Sequence, residues 1–368
     1  MSKISCKNCG RAYPGEGAPY RCLVCGGLFD YDSPLTFDHS SIDGSQPGIW
    51  QFKHTFGDLE FNQPVSLGEG STPICWLELF GHNVGLKCEY ENPTGSFKDR
   101  GSTLLSSFLI SRNVTNCIED SSGNAGASLA AYSAKAGINL TVLIPEASSN
   151  LKKNMIQQFG AQVEIVEGTR SEVQLKTKNI ADNGITYASH AYLPFNLPGY
   201  ATASYEIFDQ MGGTIPATII MPVGQGGFLL GMARGFEAMQ RAGLIKKVPQ
   251  LIAVQARACA PLWSLFSGGI DGLRFASENP TIAEGVRVWH PVRGDDVLKA
   301  VGVSGGYFSA VDEEEIANSV ETLADLGFDV EPTSALVWSA LLQYKDSLQD
   351  PIILVLTGSN SKDNLLSR

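Results

Sequence analysis

Residues 91–101 read ENPTGSFKDRG, and this stretch decides the fold and the chemistry of the chain. Pro93 and Gly95 mark a loop, and the apolar run that follows the stretch predicts a helix. Ser96 suits the N-cap of that helix, which places Lys98 in the first turn, where the helix dipole disfavours a cation. An amine that is also screened from water loses its proton more easily and becomes a nucleophile. The stretch therefore predicts a lysine suited to Schiff-base chemistry, although a lone lysine at a helix start is usually a solvated one.

The bulk composition fits an enzyme of two or three domains. The chain has 368 residues, of which 43% are hydrophobic and 18% are charged, so it holds ample apolar material for a core. No run approaches the roughly 20 apolar residues of a membrane span, and the N-terminus lacks the apolar core of a signal peptide. The net charge of -11 argues against a nucleic-acid surface. We therefore expect a cytoplasmic protein that binds neither nucleic acid nor membrane.

Four of the eight cysteines form two CxxC pairs, and each pair is followed by glycine. The pairs are Cys6 with Cys9 and Cys22 with Cys25. This spacing is typical of a zinc ribbon, in which four thiolates hold one Zn²⁺ tetrahedrally. Because four ligands leave no open position for catalysis, we expect residues 1–30 to form a structural zinc site. The alternative is that the thiols stay reduced without a metal.

Beyond a linker at residues 31–65, strand-like and helical patterns alternate along the chain. The alternation predicts an α/β fold with parallel sheets covered by helices. Strands are expected at 84–89, 114–119, 140–144, 163–166, 185–188, 217–221, 251–255 and 352–356, and helices at 123–136, 150–159, 199–211 and 228–241. Ligands of such sheets bind beyond the carboxyl ends of the strands, which is where the chemical motifs of this chain lie.

Residues 121–126 read SSGNAG and join a predicted strand to an alanine-rich helix. A helix start offers free N–H groups to an anion, and the two serine hydroxyls add donors. We expect this loop to bind the α-carboxylate of a substrate, although by itself it could equally be an ordinary capped turn. The residues concerned are Ser121, Ser122, Gly123, Asn124 and Ala125.

Residues 222–227 read PVGQGG and again join a strand to a helix. Glycines let the backbone approach a phosphate closely, and the helix start supplies N–H groups. The pattern has neither the spacing of a dinucleotide loop nor the lysine of a P-loop, so on its own it indicates no more than a tight turn. The residues concerned are Gly224, Gln225, Gly226 and Gly227. A further candidate is Thr357, which closes the last buried strand.

Residues 91–101 closely resemble the Schiff-base motif of fold-type-II pyridoxal phosphate enzymes, in the form typical of threonine synthases. The resemblance begins at residues 68–73, GEGSTP, and continues to the C-terminus. It implies a tryptophan synthase beta-like fold and pyridoxal 5'-phosphate held covalently by Lys98. It also implies a large cofactor-binding domain (66–113 and 200–368), a small substrate-clamping domain (114–199) and a homodimer that acts on an amino acid.

The resemblance also implies the roles of the site residues. Asn124 would contact the phenolic oxygen of the cofactor, and the glycine loop at 224–227 would hold its phosphate. Thr357, with Ser359 as the alternative, would hydrogen-bond the pyridine nitrogen. A hydroxyl there leaves that nitrogen neutral, and the weaker electron sink suits elimination and replacement. The two other residues expected beside the cofactor are Phe97 and Gly285.

The implied reaction converts O-phosphohomoserine and water to threonine and phosphate, and one feature departs from the family pattern. Asn196 stands where the family has an arginine for the substrate phosphate, and Ala125 stands where it has a threonine. A neutral amide holds a dianion far less well than a guanidinium does. The residues considered as replacements are Lys152, Lys153, Arg170 and His190.

Two alternatives therefore stay open. One is β-elimination or β-replacement on serine, threonine or phosphoserine, as in dehydratases and cysteate-synthase-like enzymes. The other is a zinc-ribbon protein whose enzyme-like body serves as a binding or regulatory module.

Overall fold

A computed structural model describes residues 4–57, 59 and 64–360 of the chain. The chain divides into two compact units. The first unit comprises Met1–Glu69 and Lys98–Gly199, and the second comprises Gly70–Phe97 and Tyr200–Arg368. The expected small domain, residues 114–199, lies within the first unit, which also includes the N-terminal residues and residues 98–113. The domain boundaries drawn from the sequence stay a prediction.

The strands and helices are numbered here in chain order. The strands are β1 (Ile4–Cys6), β2 (Phe29–Tyr31), β3 (Ile74–Leu79), β4 (His82–Cys88), β5 (Asn116–Glu119), β6 (Asn139–Pro145), β7 (Gln162–Val166), β8 (Thr186–Tyr187), β9 (Thr218–Pro222), β10 (Gln250–Ala256), β11 (Tyr307–Val311) and β12 (Ile352–Leu356). The helices are α1 (Lys98–Ser111), α2 (Asn124–Ala136), α3 (Asn150–Gln158), α4 (Arg170–Asp182), α5 (Leu197–Gln210), α6 (Gly227–Arg241), α7 (Pro261–Gly272), α8 (Gly294–Val303), α9 (Glu313–Asp325) and α10 (Pro332–Tyr344).

The second unit is built on a six-stranded sheet in the order β11-β10-β9-β12-β4-β3. All neighbouring pairs are parallel except β3 with β4, which puts the antiparallel strand at the edge. The central strands β9 and β12 are buried along their whole length, as their continuous apolar sequences require of strands covered on both faces. The carboxyl ends of β9 and β12 therefore lie side by side.

The first unit contains a parallel four-stranded sheet in the order β7-β6-β5-β8. Helices α1 and α2 pack against each other, and α4 packs on β6 and β8. Helix α4 begins with a capping box, in which Thr169 and Glu172 satisfy each other's backbone N–H groups.

The N-terminal segment forms a two-stranded antiparallel sheet, β1 with β2, that carries the cysteine pairs. It packs on the rest of the first unit through Tyr13, whose ring contacts Phe108 and Phe195 edge to face. The linker that follows is anchored by Trp50, which is buried and donates from Nε1 to Glu69 Oε1 at 3.0 Å.

The α/β class with parallel sheets is confirmed. The expected strands and helices are all present among the described residues, with ends displaced by at most two residues. The sequence analysis missed β1 to β3, β11, α4 and α7 to α9. No helix in the described part of the chain is both long and apolar enough to cross a bilayer.

Candidate active site

In the second unit, the loop before the lysine is tied to the end of β12. The Phe97 N–H donates to Thr357 O at 3.1 Å, and the Ser359 N–H donates to Gly95 O at 3.0 Å. The Phe97 ring stacks on Phe228 with centroids 4.4 Å apart. Backbone and ring together therefore fix the direction in which the chain enters Lys98, the next residue.

Thr357 is buried at the carboxyl end of β12, where it meets a serine from α10. Its Oγ1 lies 3.0 Å from Ser334 Oγ, which also accepts from the Gly358 N–H at 2.8 Å. The Thr357 hydroxyl is thus held by a second hydroxyl and by the backbone turn after it. Ser334 carries no distinctive sequence pattern, and the sequence analysis assigned it no role.

Two glycines of the loop at residues 224–227 leave no room for a side chain. A Cβ on Gly224 would lie 2.6 Å from Gly285 O, and one on Gly226 would lie 2.4 Å from Val297 Cγ2. Gly226 is the N-cap of α6 with φ 78°, and no side chain in the described part of the chain caps this helix. The first N–H groups of α6, which starts at Gly227, are therefore available to an anion.

Two other predicted residues, Gln225 within this loop and Gly285 beside it, are also held by hydrogen bonds. The Gln225 side-chain oxygen accepts from the Val292 N–H at 3.0 Å, so it holds a neighbouring segment. Gly285 lies in a 3₁₀ turn, and its N–H donates to Thr333 Oγ1 at 3.1 Å. Gly224 and Gly285 lie close together, since a Cβ on Gly224 would be only 2.6 Å from Gly285 O.

In the first unit, Lys98 is the first residue of α1, and the neighbouring helix starts with the predicted carboxylate loop. Ser128 of α2 joins the two helices, because its Oγ lies 2.6 Å from Asp99 Oδ1 and 2.7 Å from Ser102 Oγ. The starts of α1 and α2 are therefore held close to each other.

The loop itself runs from the end of β5 to α2. Gly123 is the N-cap of α2, with no side-chain cap from the residues that the structure describes, and Asn124 and Ala125 open the helix. Ser121 Oγ accepts from the Gly123 N–H at 3.4 Å, and Ser122 lies between them. A helix start of this kind offers backbone N–H groups to an anion, and this one lies beside the start of α1.

One local prediction is wrong. Ser96 does not cap α1, because the helix begins at Lys98 and the buried Ser96 Oγ has no hydrogen-bond partner among residues 4–57, 59 and 64–360. Backbone bonds at the end of β12 and the stacked ring of Phe97 position the loop instead.

A cluster of charged groups lies at the carboxyl end of β5, just before the carboxylate loop. Asp120 accepts from Arg170 Nη1 at 2.7 Å and from the Tyr187 hydroxyl at 2.7 Å. The adjacent Glu119 is fully buried, and its Oε1 lies 2.8 Å from Nδ1 of His190. The sequence analysis considered Arg170 and His190 only as replacements for an arginine and did not single out the two carboxylates.

Burial shifts the pKa values of Glu119 and His190 in opposite directions. It raises the pKa of Glu119 well above its usual value, and the Asp120 charge adds to the rise while Arg170 and Lys98 oppose it. Burial also lowers the pKa of His190 well below its usual value, and the charges of Lys98 and Arg170 lower it further. Both shifts disfavour the charged forms of Glu119 and His190.

The resemblance implies an arginine at position 196, where this chain has an asparagine. Asn196 is buried in a 3₁₀ turn, and its Nδ2 donates to His190 O at 2.7 Å. Among the other candidates, Lys153 donates to Glu146 O at 3.3 Å, and the Lys152 side chain lies outside the described part of the chain.

The chain matches a known family over most of its length. The profile described as "Pyridoxal-phosphate dependent enzyme" matches residues 65–358. The chain belongs to this family. A threonine synthase from Methanosarcina acetivorans is 30% identical, with 99% of this chain and 93% of the relative covered. A threonine synthase from Methanocaldococcus jannaschii is 33% identical, with 97% and 92% covered. The crystal structure of a threonine deaminase from T.th. has a TM-score of 0.66 and 28% identity, with 79% of this chain and 92% of that chain covered.

The resemblance to fold-type-II pyridoxal phosphate enzymes is confirmed, and the chain is an enzyme that depends on this cofactor. One observation in the second unit indicates that the residues of this chain fit the cofactor. At Gly224 and Gly226 close packing excludes a Cβ, so bare backbone forms a cradle in front of a helix start without a side-chain cap within the described residues. Such a cradle suits a phosphate.

The four N-terminal cysteines are brought together. Their sulfur atoms all lie within 4.8 Å of one another, with Cys6 and Cys25 3.4 Å apart and Cys9 and Cys22 3.7 Å apart. Backbone N–H groups of Val24 and Cys25 stabilise the Cys22 thiolate and lower its pKa to about 6. Tetrahedral zinc with bonds of about 2.3 Å needs sulfur atoms at roughly this separation.

Proposed function

We propose that the chain is a threonine synthase, which converts O-phosphohomoserine and water to threonine and phosphate. The observation that carries the proposal is the match to relatives named threonine synthase across 97% to 99% of this chain at 30% to 33% identity. The lysine loop, the carboxylate loop, the glycine loop and Thr357 are all present, which supports a complete active site.

In the second unit, we propose that the N–H groups of Gly224, Gln225, Gly226 and Gly227 bind the cofactor phosphate. The support is the tight glycine cradle at the start of α6. We assign the Thr357 hydroxyl to the pyridine nitrogen, as the donor that leaves it unprotonated. Phe97 and Gly285 would lie beside the ring, where Phe97 fixes the loop that leads into Lys98.

In the first unit, we propose that the N–H groups and hydroxyls of residues 121–125 bind the α-carboxylate of the substrate, and that Asn124 contacts the phenolic oxygen of the cofactor. Pyridoxal phosphate, when bound, withdraws electrons from the substrate's Cα and so makes its proton removable. Lys98 takes this proton and moves protons at Cβ while phosphate leaves from Cγ and water adds at Cβ.

A second function is favoured by one observation. Asn196, at the arginine position, is turned to His190 O and leaves the substrate phosphate without a guanidinium from that position. The alternative is β-elimination or β-replacement on serine, threonine or phosphoserine, and the similarity to a structure titled threonine deaminase fits it.

One assay separates the two functions. The purified enzyme is incubated with O-phosphohomoserine and, separately, with serine, threonine and phosphoserine, and phosphate, threonine and 2-oxo acid are measured. Threonine with an equal amount of phosphate supports the proposal. Oxo acid from serine or threonine, with no threonine from O-phosphohomoserine, would establish the alternative.

Replacing Lys98 tests the catalytic assignment and the non-catalytic alternative together. We expect Lys98→Ala to remove the visible absorption of lysine-bound cofactor and to reduce turnover by at least about a thousandfold, because proton transfer at Cα is lost. Lys135→Ala, on the exposed side of α2, is the matched control and should retain both. A wild-type protein without visible absorption would instead indicate a binding or regulatory module.

We also propose that Cys6, Cys9, Cys22 and Cys25 hold one structural Zn²⁺, supported by the clustering of their sulfur atoms. Metal analysis should find one zinc per chain and none after Cys6 and Cys22 are both replaced by serine. A homodimer and a cytoplasmic location complete the proposal.

A further inference from the structure

Ser334 is a buried hydroxyl with no role in the chemistry assigned so far. It lies in the first turn of α10, and its Oγ contacts three groups at the end of β12. The Gly358 N–H donates to it at 2.8 Å, Gly358 O lies 3.0 Å away, and Thr357 Oγ1 also lies 3.0 Å away. Because a hydroxyl has one hydrogen, Ser334 donates to only one of the last two oxygens.

The start of α10 contacts two parts of the cofactor site proposed for the second unit. Thr333, the residue before Ser334, accepts from the Gly285 N–H at 3.1 Å. Gly285 in turn lies against the glycine cradle, since a Cβ on Gly224 would be 2.6 Å from its carbonyl oxygen. Consecutive residues of α10 thus hold the turn beside the cradle and the hydroxyl proposed for the pyridine nitrogen.

Thr357 has unused hydrogen-bonding capacity at this place. Its carbonyl oxygen accepts from the Phe97 N–H at 3.1 Å, so it lies beside the loop that leads into Lys98. Its hydroxyl is buried, and Ser334 is its one hydrogen-bond partner among residues 4–57, 59 and 64–360. A hydroxyl offers one hydrogen and two lone pairs, so this contact leaves Thr357 able to bond a second group.

Two arrangements of the hydrogens fit these contacts. In the first, Ser334 donates to Thr357, and the Thr357 hydrogen is left for a ligand. In the second, Ser334 donates to Gly358 O and accepts from Thr357, which then has only a lone pair for a ligand. The first arrangement suits an unprotonated pyridine nitrogen, which accepts, and the second suits a protonated one, which donates.

We propose that Ser334 is a positioning residue, which donates to Thr357 and so leaves the Thr357 hydrogen for the pyridine nitrogen of the cofactor. The inference rests on the part of the proposed function in which Thr357 donates to an unprotonated nitrogen. The Gly358 N–H, the Ser334 hydroxyl and the Thr357 hydroxyl then form a chain in which every donor points the same way. Each bond in such a chain polarises the next, so the last donor is a stronger one.

This role connects Ser334 to the class of reaction. The chain of donors supplies a hydrogen bond without supplying a charge, and the backbone N–H at its start does not titrate. The pyridine nitrogen is therefore held unprotonated, as the weaker electron sink that suits elimination and replacement.

The state of the cofactor nitrogen is measured directly in the holoenzyme. Nitrogen magnetic resonance with isotope-labelled pyridoxal phosphate separates a protonated nitrogen, an unprotonated one with a hydrogen bond and an unprotonated one without. We expect wild type to show the unprotonated, hydrogen-bonded state. In Ser334→Ala the signal should move towards that of an unbonded nitrogen, and the dissociation constant of the cofactor should rise about three- to tenfold.

A double-mutant cycle tests whether Ser334 acts through Thr357. Thr357→Val keeps the shape of the side chain without its hydroxyl, so it should leave the nitrogen unbonded and raise the cofactor dissociation constant about tenfold. In that background Ser334→Ala should change the dissociation constant by less than about twofold, because the hydroxyl through which it acts is gone. Cofactor affinity is measured by titration of cofactor-free protein, followed by absorption.

The matched control is Ser339→Ala, on the same helix. Ser339 is buried, its Oγ lies 2.7 Å from Ser319 Oγ, and it donates to Glu315 O at 3.0 Å. This variant also removes a bond between two hydroxyls, and it should keep the wild-type nitrogen signal and cofactor affinity. Near-ultraviolet circular dichroism checks that each variant is folded, and if Ser334→Ala is not, the wild-type nitrogen signal decides between the two arrangements.

Three results overturn the inference and leave threonine synthesis intact. They are a protonated nitrogen in wild type, an unchanged signal and affinity in Ser334→Ala, and an equal loss of affinity from Ser334→Ala in both backgrounds. A wild-type signal in Thr357→Val overturns the assignment of Thr357, and the inference with it. Failure to form threonine from O-phosphohomoserine overturns the proposed reaction alone, because the nitrogen measurement needs no substrate.

Discussion

Two turns in this molecule share one architecture and differ in what surrounds them. Residues 119–124 leave β5 and enter α2, and residues 222–227 leave β9 and enter α6. Each helix has a glycine N-cap, and neither helix start is capped by a side chain of the described residues. The first turn is surrounded by Glu119, Asp120 and side chains from distant segments, whereas the second is enclosed by glycine backbone and Val297.

The difference matches the ligands proposed for the two turns. Backbone N–H groups do not titrate and hardly move, so a turn built from them suits an anion that stays bound, such as a cofactor phosphate. Charged side chains shift their pKa with their surroundings, so a turn flanked by them suits an anion that arrives and leaves in every cycle. We therefore expect the turn between β9 and α6 to hold its anion permanently and the turn between β5 and α2 to exchange its anion.

The first prediction has the largest expected effect on stability. It tests whether the turn between β5 and α2 also depends on tight backbone contact. A Cβ on Gly126 would lie 1.9 Å from the Ser121 carbonyl oxygen, which cannot move without displacing the loop. We expect Gly126→Ala to lower the free energy of unfolding by about 3 kcal/mol, as measured by urea denaturation. Gly123→Ala is the control, because a Cβ there meets no described atom within 4 Å, and its effect should stay within about 1 kcal/mol. Equal losses in both variants would contradict the close-contact explanation.

The next prediction concerns the second turn, where the expected effect is on the cofactor. Gly226→Ala places a Cβ 2.4 Å from Val297 Cγ2 and strains a backbone with φ +78°. We expect the affinity for pyridoxal phosphate to fall by about tenfold, or about 1.4 kcal/mol, because the N–H groups of α6 are displaced. The measurement is a titration of cofactor-free protein followed by absorption.

Gly243→Ala controls for the strain alone. Gly243 also has a positive φ, +76°, but a Cβ there has no described atom within 4 Å. It should lower stability without changing cofactor affinity. If both variants lower the affinity for pyridoxal phosphate equally, the close packing at Gly226 is not what positions the cofactor phosphate.

The two turns also show what the sequence alone can reveal. The second could be predicted, because its strand, glycines and helix are adjacent in the chain and act through the backbone. The acidic and histidine side chains of the first could not be assigned, because Glu119 and His190 are 71 residues apart and only the folded sheet joins them. The wrong N-cap at Ser96 has a similar cause, since bonds to the end of β12, far along the chain, replace a local cap.

Other omissions had a readable signal. Helices α4 and α9 both open with capping boxes, Thr169 with Glu172 and Asp312 with Glu315, and both sequence patterns are visible without a structure. Long-range side-chain clusters are thus harder to predict than the helices that carry them.

The last prediction, which has the smallest expected effect, concerns the pH dependence of stability. It compares the pair of His82 and Asp350 with the pair of His190 and Glu119. A hydrogen bond from Asp350 raises the pKa of His82, whereas burial lowers that of His190. The stability from His82 is therefore complete below the pKa of an unfolded histidine, about 6.5, and is lost as pH rises through the folded value. For His190 the sign is opposite, since the unfolded chain binds the proton more readily and stability is lost as pH falls through about 6.5.

Urea denaturation at about pH 5.5 and about pH 7.5, on either side of the unfolded pKa, measures the direction of the pH dependence that each histidine contributes to stability. His82→Gln should remove a stabilisation that is greatest at the lower pH, and His190→Gln should reduce the loss of stability there. Glu119 titrates in both variants, and its raised pKa favours the folded state at low pH, so the difference between the variants reports the histidines. If both variants shift the pH profile in the same direction, the first turn has no distinct electrostatic character, and the contrast between a fixed and a responsive anion site is lost.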